Sequence, residues 1–438
     1  MLLISRSSCR FKIDATLSYM PWTHLIELTD VRMPFCDVIS NNNGGGGGGG
    51  DNHSCCCKIF YQTYGYGPTK LLLIIGLAGT HESWGPQVKG LTGTETPNDT
   101  ESINLNTPYD NIDVDNNGGI EICAFDNRGM GRSSAPTKKS QYTTTIMAKD
   151  AIALMDHLGW VKAHVFGHSM GAMIACKLAA MVPNRILSLA LLNVTGGGFE
   201  CFPKIDRQMI SIAVRFLKAK TPEQRADVDL DTHYTKEYLE EYVGPDTRRK
   251  FLYQEYVRNI SSAGMQSNYG FEGQVNACWT HKMTSKEIDV IRSAGFLVSI
   301  IHGRYDVIAQ ISHARKLAVK LQPSARMVDL FGGHLVSHER PDEVNQALLK
   351  LIKASELNLN LHDWSNLPKK GTGTHLVGIQ MPLSREDSER GSCFYLVVGM
   401  LGKLQSALMY LFGLFVVAFE YSQRVFRSLK TAKVTISV

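Results

Sequence analysis

The chain has 438 residues and a formal net charge of +5 at pH 7, so one α/β domain of ordinary size with extensions at its ends accounts for its length. Lysine and arginine are interleaved with aspartate and glutamate, and this mild charge excludes nucleic acid as a partner. The ten cysteines show no spacing typical of a disulfide framework or a zinc site, which favours a reducing, intracellular compartment.

Residues 1–57 are predicted to be a disordered or linker extension. Within them, Asn41–Asp51 reads "NNNGGGGGGGD", and seven consecutive glycines have too much backbone entropy to order readily. The opening residues have too short an apolar run for a secretory signal peptide, although their Ser and Arg content is also found in organelle transit peptides. We therefore expect the folded part to begin at Lys58.

From Lys58 the chain alternates short, β-branched apolar runs with amphipathic stretches, a pattern typical of a parallel sheet covered on both faces. The predicted strands are Leu71–Gly76, Ile120–Asp126, Ala163–Gly167, Leu189–Val194, Phe296–Gly303 and Arg326–Gly333. The predicted helices are Thr145–Leu158, Gly171–Val182, Ile311–Leu321 and Pro341–Ile352. The fold class is therefore α/β, with a doubly wound, mostly parallel sheet divided between residues 58–194 and 284–356.

Two stretches interrupt this alternation. Residues 87–119 are polar, acidic and rich in Asn and Thr, which predicts a surface insertion. Residues 195–283 place apolar side chains at helical spacing, Met209, Ile212 and Phe216 among them, and predict a helical cap over the site. An additional helical layer with no role in substrate binding is the alternative.

The C-terminal region is predicted to be a polar tether, residues 357–392, followed by an apolar tail, residues 393–438. The most apolar part, Leu404–Phe419, is shorter than the roughly 20 residues that span a bilayer. Basic residues follow it, as expected of a cytosolic flank or of a helix on an anionic surface. We therefore expect membrane association through residues 393–430, and a packing helix is the alternative.

The motif "GHSMG", Gly167–Gly171, places Ser169 between a predicted strand and a predicted helix. Gly-x-Ser-x-Gly in this context is typical of an elbow that exposes a nucleophilic hydroxyl, because the two glycines leave room for a strained turn. A small residue at a tight corner is the alternative reading of Ser169. The motif alone is weak, so the rest of the chain must supply the partners that a nucleophilic serine needs.

Asp306 and His334 follow the last two predicted strands, and ligands of parallel sheets bind at such strand ends. A serine becomes nucleophilic when an imidazole takes its proton, and a carboxylate fixes that imidazole's tautomer. The sequence therefore predicts a catalytic set of Ser169, Asp306 and His334. His338 and Asp329 are the alternatives for the base and the acid, but they lie less well at the strand ends.

An oxyanion that forms during acyl transfer requires backbone N–H donors. We predict Met170, at the start of the helix after the elbow, and Leu77, in the loop after the first parallel strand, as these donors. Trp84 and His168 are the predicted substrate-binding residues, with a packing role as the alternative for His168. This chemistry needs no cofactor, and no motif predicts a metal site or a dinucleotide site.

Five motifs together carry a resemblance to a known family: "IIGLAGTHESW", "FDNRGMGRSS", "FGHSMGAMIA", "HGRYDVI" and "GGHLVSHERPDEV". The chain resembles the α/β-hydrolase fold family, in its branch of aminoacrylate hydrolases and carboxylic ester hydrolases. The resemblance implies that Ser169 is the nucleophile, Asp306 the acid and His334 the base, with residues 195–283 as the lid. The family's usual His-Gly before the oxyanion loop is Ile75-Gly76 here, which removes an imidazole and keeps the N–H donor.

These observations predict a serine hydrolase that cleaves a small or medium carboxylic ester, or a related amide-type substrate, through an acyl-enzyme. An acyltransferase is one alternative, in which an alcohol replaces water. A small-molecule receptor or scaffold on the same fold is the other. The expected partner is a small-molecule acyl substrate, and the sequence does not indicate an oligomeric state.

Overall fold

The computed structural model describes residues 34–40, 55–98, 119–201, 203, 206–263 and 266–367. Its strands are β1 (Phe35–Ser40), β2 (Cys55–Tyr64), β3 (Thr69–Ile74), β4 (Ile120–Phe125), β5 (Ala163–His168), β6 (Ile186–Leu192), β7 (Tyr242–Val243), β8 (Asp246–Thr247), β9 (Leu297–Gly303) and β10 (Ala325–Leu330). Its helices are α1 (Gly85–Thr92), α2 (Thr144–His157), α3 (Met170–Met181), α4 (Arg207–Lys218), α5 (Pro222–His233), α6 (Lys236–Glu240), α7 (Arg248–Ala263), α8 (Asn268–Thr280), α9 (Ser285–Ser293), α10 (Ile311–Lys320), α11 (Val336–Glu339), α12 (Pro341–Glu356) and α13 (Leu361–Trp364).

Eight of the described strands form one sheet in the order β1-β2-β4-β3-β5-β6-β9-β10. The six strands from β4 to β10 in this order pair in parallel, whereas β1 and β2 form an antiparallel edge. Strands β7 and β8 form a separate two-stranded sheet. The predicted α/β fold with a doubly wound, mostly parallel sheet is therefore confirmed.

Both faces of the sheet are covered, and alternate residues of β3 show this directly. Leu72 and Ile74 pack in one core cluster with residues of α2, α3, α9 and α10, whereas Leu71 and Leu73 pack in a second cluster with residues of α1 and α12. Successive side chains of a strand point to opposite faces. A strand that is apolar on both faces therefore lies inside a sheet covered by helices on both sides.

The predicted boundary at Lys58 is wrong, because ordered structure lies on both sides of the glycine run. Strand β1 pairs antiparallel with β2 in a continuous register from Phe35↔Phe60 to Ser40↔Cys55. The rings of Phe35 and Phe60 meet edge to face with centroids 5.4 Å apart. The hydrogen bonds of this ladder stabilise a strand that sequence reading assigned to the linker. The glycine run itself lies outside the described residues.

The predicted insertion at residues 87–119 begins too early. Its first residues belong to α1, which starts with Pro86 in its first turn and ends at Gly93 with a φ of 77°. Proline suits a helix start, and a left-handed glycine suits a helix end. Beyond α1, the Asn98 N–H donates to the Thr63 carbonyl at 2.8 Å. Residues 99–118 lie outside the described part of the chain.

The predicted start of the tether at residue 357 is also too early. Helix α13 carries Trp364, which is 1% exposed and donates its indole N–H to the Val298 carbonyl at 2.8 Å. An indole that is buried with its N–H paired is part of the core. The folded domain therefore extends to residue 367. The rest of the tether and the predicted apolar helix of residues 393–438 lie outside the described residues.

Residues between β6 and β9 form the predicted helical region, with helices α4 to α8 followed by α9. We call this region the cap. One of its contacts with the rest of the domain is a hydrogen bond from the Leu335 N–H to the His233 carbonyl at 2.9 Å. Across the described ranges, none of the helices combines the length and the apolar character that crossing a bilayer requires.

Candidate active site

Ser169 lies at the turn between β5 and α3, in a conformation that non-glycine residues rarely adopt, with φ of 54° and ψ of −119°. The two motif glycines allow this turn. A Cβ added at Gly167 would lie 2.3 Å from the Gly171 carbonyl oxygen, and one added at Gly171 would lie 2.0 Å from the Ile74 carbonyl oxygen. Strained residues of this kind are typical of functional sites, because the surrounding structure must hold them.

The structure brings the predicted catalytic set together. His334 Nε2 lies 3.1 Å from Ser169 Oγ, and His334 Nδ1 lies 2.8 Å from Asp306 Oδ2. An ionised carboxylate only accepts hydrogen bonds, so Nδ1 carries the proton and Nε2 is free to accept from the serine hydroxyl. The three residues follow β5, β9 and β10, and so they meet at the carboxyl edge of the sheet.

The carboxylate of Asp306 is buried and fully hydrogen-bonded. Its Oδ1 accepts from the N–H groups of Ile308 and Ala309, both at 2.8 Å, and its Oδ2 accepts from Asn193 Nδ2 at 2.6 Å. Burial opposes ionisation, but the neighbouring His334 and these donors outweigh it and lower the pKa of Asp306 to about 2. Asp306 is therefore ionised at neutral pH.

Asn193 is a site residue that the sequence analysis missed. It follows β6 with a left-handed φ of 49°. Its amide group donates to Asp306 and also, at 3.2 Å, to the Gly333 carbonyl. Asn193 thus connects the loop of the carboxylate to the loop of His334. Two signals could have identified it: it follows a strand, and asparagine adopts the left-handed conformation more readily than most residues do.

Neither alternative to the predicted acid and base reaches Ser169. His338 Nε2 lies 2.8 Å from the Ser83 carbonyl, and its Nδ1 lies 3.3 Å from the Tyr234 hydroxyl. The carboxylate of Asp329 pairs with Arg304 at 3.0 Å and with a second arginine of α10 at 2.6 Å. Both side chains thus have other partners.

The loop after β3, Gly76–Gly79, lies against the serine. A Cβ added at Gly76 would lie 3.1 Å from Ser169 Cβ, closer than most Cβ atoms approach a neighbour. Within the described residues, neither the Leu77 N–H nor the Met170 N–H donates to another protein group. Asn127 Nδ2 holds the preceding turn by donating to the Ile75 carbonyl at 2.8 Å. These two N–H groups are therefore free to serve as the predicted donors.

The structure places both predicted substrate-binding residues in the interior of the protein. Trp84 is 1% exposed and belongs to the core cluster that also holds Val88 and Leu348. His168 is 3% exposed, and its Nε2 lies 2.8 Å from the His334 carbonyl oxygen. Both side chains are packed inside the protein. A large ring near a strand end can fill the core as readily as it can line a pocket.

The cap supplies a further side chain above the imidazole. The His233 ring stacks on the His334 ring with centroids 6.4 Å apart and an interplanar angle of 27°. Beside them, the carboxylate of Glu339 accepts hydrogen bonds from the N–H groups of Gly333 and Thr235, both at 2.8 Å. These contacts connect the cap to the loop of His334. The two contacts made by cap residues, His233 with His334 and Thr235 with Glu339, join residues about 100 positions apart, so no local sequence pattern could indicate them.

Among the described residues, no group of three or more His, Cys, Asp or Glu side chains is placed to hold a metal ion. The arrangement is instead a hydroxyl, an imidazole and an ionised carboxylate in hydrogen-bonded sequence, next to unused backbone N–H groups. Such a set can transfer a proton from a hydroxyl that attacks a carbonyl carbon.

Comparisons with known proteins agree with this fold. The chain matches the alpha/beta hydrolase fold family over residues 71–341. It is 24% identical over 300 residues to RutD of Caulobacter segnis, named as a carbamate hydrolase, covering 68% of this chain and 97% of RutD. It is 27% identical over 239 residues to BpoC of Mycobacterium tuberculosis, named as a non-heme bromoperoxidase, covering 53% of this chain and 83% of BpoC.

Among solved structures, the enol-lactonase of Burkholderia xenovorans superposes with a TM-score of 0.52 at 22% sequence identity. The superposition covers 68% of this chain and 97% of the enol-lactonase, and it shows a shared fold. The family match spans more than half of the 438 residues and contains the whole Ser169, Asp306 and His334 set. The chain therefore belongs to the alpha/beta hydrolase fold family.

Proposed function

We propose that this protein is a serine hydrolase that cleaves a small or medium carboxylic ester through an acyl-enzyme on Ser169. The single observation that carries the proposal is the pair of hydrogen bonds that connects Ser169 Oγ to His334 at 3.1 Å and His334 to Asp306 at 2.8 Å. Without these bonds the serine hydroxyl would have no base to take its proton.

In the first step, Ser169 Oγ attacks the carbonyl carbon of the ester while His334 Nε2 takes the hydroxyl proton. The resulting oxyanion accepts hydrogen bonds from the Leu77 and Met170 N–H groups. Asp306 stabilises the imidazolium that forms. When the intermediate collapses, the bond to the alcohol breaks and the alcohol leaves with the proton from His334.

In the second step, water attacks the acyl carbon and gives a proton to His334. The bond to Ser169 Oγ then breaks, Oγ regains its proton from the imidazole, and the carboxylic acid leaves. A carbamate hydrolase also breaks a bond at a carbonyl carbon, so the similarity to RutD supports this type of reaction. The identity of 24% leaves the acyl and leaving groups of this chain's substrate as part of the proposal.

A fluorophosphonate probe, which reacts with activated serines, tests the proposal. We expect the wild type and the control Asp329→Asn to be labelled, because Asp329 lies in a surface ion pair. We expect Ser169→Ala to be unlabelled and Asp306→Asn to react at least ~100-fold more slowly, since the base loses its orienting carboxylate. Absence of labelling in the folded wild type contradicts the proposal.

A series of p-nitrophenyl esters of increasing chain length then defines the acyl group. We expect turnover of the short and medium esters to be abolished in Ser169→Ala. Addition of a primary alcohol separates hydrolysis from acyl transfer. If free acid remains the main product, the result supports hydrolysis, whereas near-complete conversion to a new ester supports an acyltransferase. If the protein reacts with the fluorophosphonate and binds a ligand but does not turn it over, the result supports a receptor.

A further inference from the structure

We propose that Gln274, on cap helix α8, is a positioning residue that sets the Leu77 N–H of the oxyanion hole. This inference rests on the proposed function, because it assigns a role within the same reaction. It also gives the cap a task beyond covering the site. The cap residue Gln274 accepts a hydrogen bond from the loop after β3, although the two bonded residues are 196 positions apart in the sequence.

The side chain of Gln274 is 0% exposed and is hydrogen-bonded at both ends of its amide. Its Oε1 accepts the Ala78 N–H at 2.9 Å, and its Nε2 donates to the Arg128 carbonyl at 3.0 Å. Gln266 Nε2 also donates to Oε1 at 3.0 Å. An N–H needs an acceptor and a carbonyl needs a donor, so these partners leave one orientation for the amide.

The contact falls on the residue directly after Leu77. Ala78 has a φ of 60°, a left-handed conformation that is unfavourable for a residue with a Cβ. On the other side of Leu77, Asn127 holds the Ile75 carbonyl at 2.8 Å. Leu77 is thus fixed between two side-chain amides, one from the core and one from the cap. Without Gln274, the Ala78 N–H loses its side-chain acceptor at this strained position.

Helix α8 has a second anchor that does not touch this loop. Asn276 Nδ2 donates to the Tyr142 carbonyl at 3.1 Å and to the Lys139 carbonyl at 3.2 Å. Gln274 and Asn276 therefore both fasten α8 to the core through an amide, and of the two only Gln274 bonds the oxyanion loop. Asn276 is a matched control for the purely structural role of such an anchor.

The test compares Gln274→Met, which keeps the length of the side chain without its hydrogen bonds, with Asn276→Leu. The readout is the ratio of kcat/KM for p-nitrophenyl acetate to that for its thionoester. Sulfur accepts hydrogen bonds weakly, so loss of a well-placed donor slows the oxygen ester more than the thionoester. A general loss of structure lowers both rates by the same factor.

In Gln274→Met we expect kcat for the oxygen ester to fall about 10- to 100-fold, KM to change less than about twofold, and the ratio to fall about tenfold. In Asn276→Leu we expect an unchanged ratio. If Gln274→Met does not fold, Gln274→Leu takes its place, since it also removes the acceptor for Ala78. It should lower the ratio to a similar extent.

An unchanged ratio in either folded Gln274 variant, or an equal fall in Asn276→Leu, overturns the inference. Fluorophosphonate labelling of the wild type keeps this result separate from the proposed function. An unlabelled wild type defeats the proposed function itself. A labelled wild type with an unchanged ratio in the Gln274 variant defeats only the role of Gln274.

Discussion

The side chain of His168 is hydrogen-bonded to the main chain of His334. Its Nε2–H donates to the His334 carbonyl at 2.8 Å, and the two rings lie 4.9 Å apart. Burial lowers the pKa of His168 to about 3, so the ring is neutral and carries its single proton on the nitrogen that faces the carbonyl. The residue before Ser169 thus fixes the residue that abstracts its proton in the proposed mechanism.

We predict that His168→Leu lowers kcat about tenfold or more and leaves KM within about twofold, because a misplaced base slows the reaction without loosening the substrate. His168→Gln, which retains an N–H donor, should recover part of this loss. The measurement is steady-state hydrolysis of a p-nitrophenyl ester by both variants. Equal kcat values for Leu and Gln would show that the hydrogen bond to His334 has no role.

Asn193 gives a second prediction, about the orientation of Asp306. Asn193→Gly keeps the left-handed backbone, since glycine adopts it without strain, but removes the amide donor at 2.6 Å. We expect kcat to fall about tenfold, as for the loss of one hydrogen bond to a charged group. The midpoint of thermal unfolding serves as the control for folding. An unchanged kcat in the folded variant would contradict this role.

The buried ion pair of Arg128 and Asp150 gives a prediction about stability. Two bonds of 2.6 Å join the groups, which are 1% and 2% exposed. Asp150→Asn should lower the free energy of unfolding by about 3–5 kcal/mol, because it leaves the guanidinium buried without its counter-charge. The surface pair of Arg185 and Asp156 is the matched control, and Asp156→Asn should cost less than about 1 kcal/mol. Similar losses in urea unfolding of the two variants would contradict the prediction.

The buried histidines predict how stability depends on pH. His164 is 1% exposed, and burial lowers its pKa from 6.5 to about 4. The unfolded chain therefore binds a proton below pH 6.5 that the folded protein binds only near pH 4. The contribution of each such imidazole to the free energy of unfolding is fully present above pH 6.5. It falls by about 1.4 kcal/mol per pH unit as the pH drops towards 4.

Urea unfolding at pH 7, 6 and 5 measures this dependence. His164→Gln should show a shallower fall than the wild type, because one proton-binding difference between the unfolded and folded states has been removed. The same slope in both proteins would mean that His164 does not contribute to it.

The sequence predicted the parallel sheet and the meeting of Ser169, Asp306 and His334, because both depend on local signals: apolar runs, helix stops and polar residues at strand ends. It failed at β1, which lies before the glycine run and pairs with β2 after it. It also did not indicate that Trp84 and His168 are buried, since burial is a property of the assembled core. The hydrogen bonds of Gln274 and Asn193 join residues 196 and 113 positions apart, which no single-sequence pattern contains.

The most direct test of the account is the detection of an acyl group on Ser169. The protein is mixed with p-nitrophenyl acetate, quenched within the first turnover, and digested for mass spectrometry. We predict one acetyl group on the peptide that carries Ser169 and none in the Ser169→Ala variant. Acetate release by Ser169→Ala at the wild-type rate, or turnover by the wild type with no acetylated Ser169, would contradict the account.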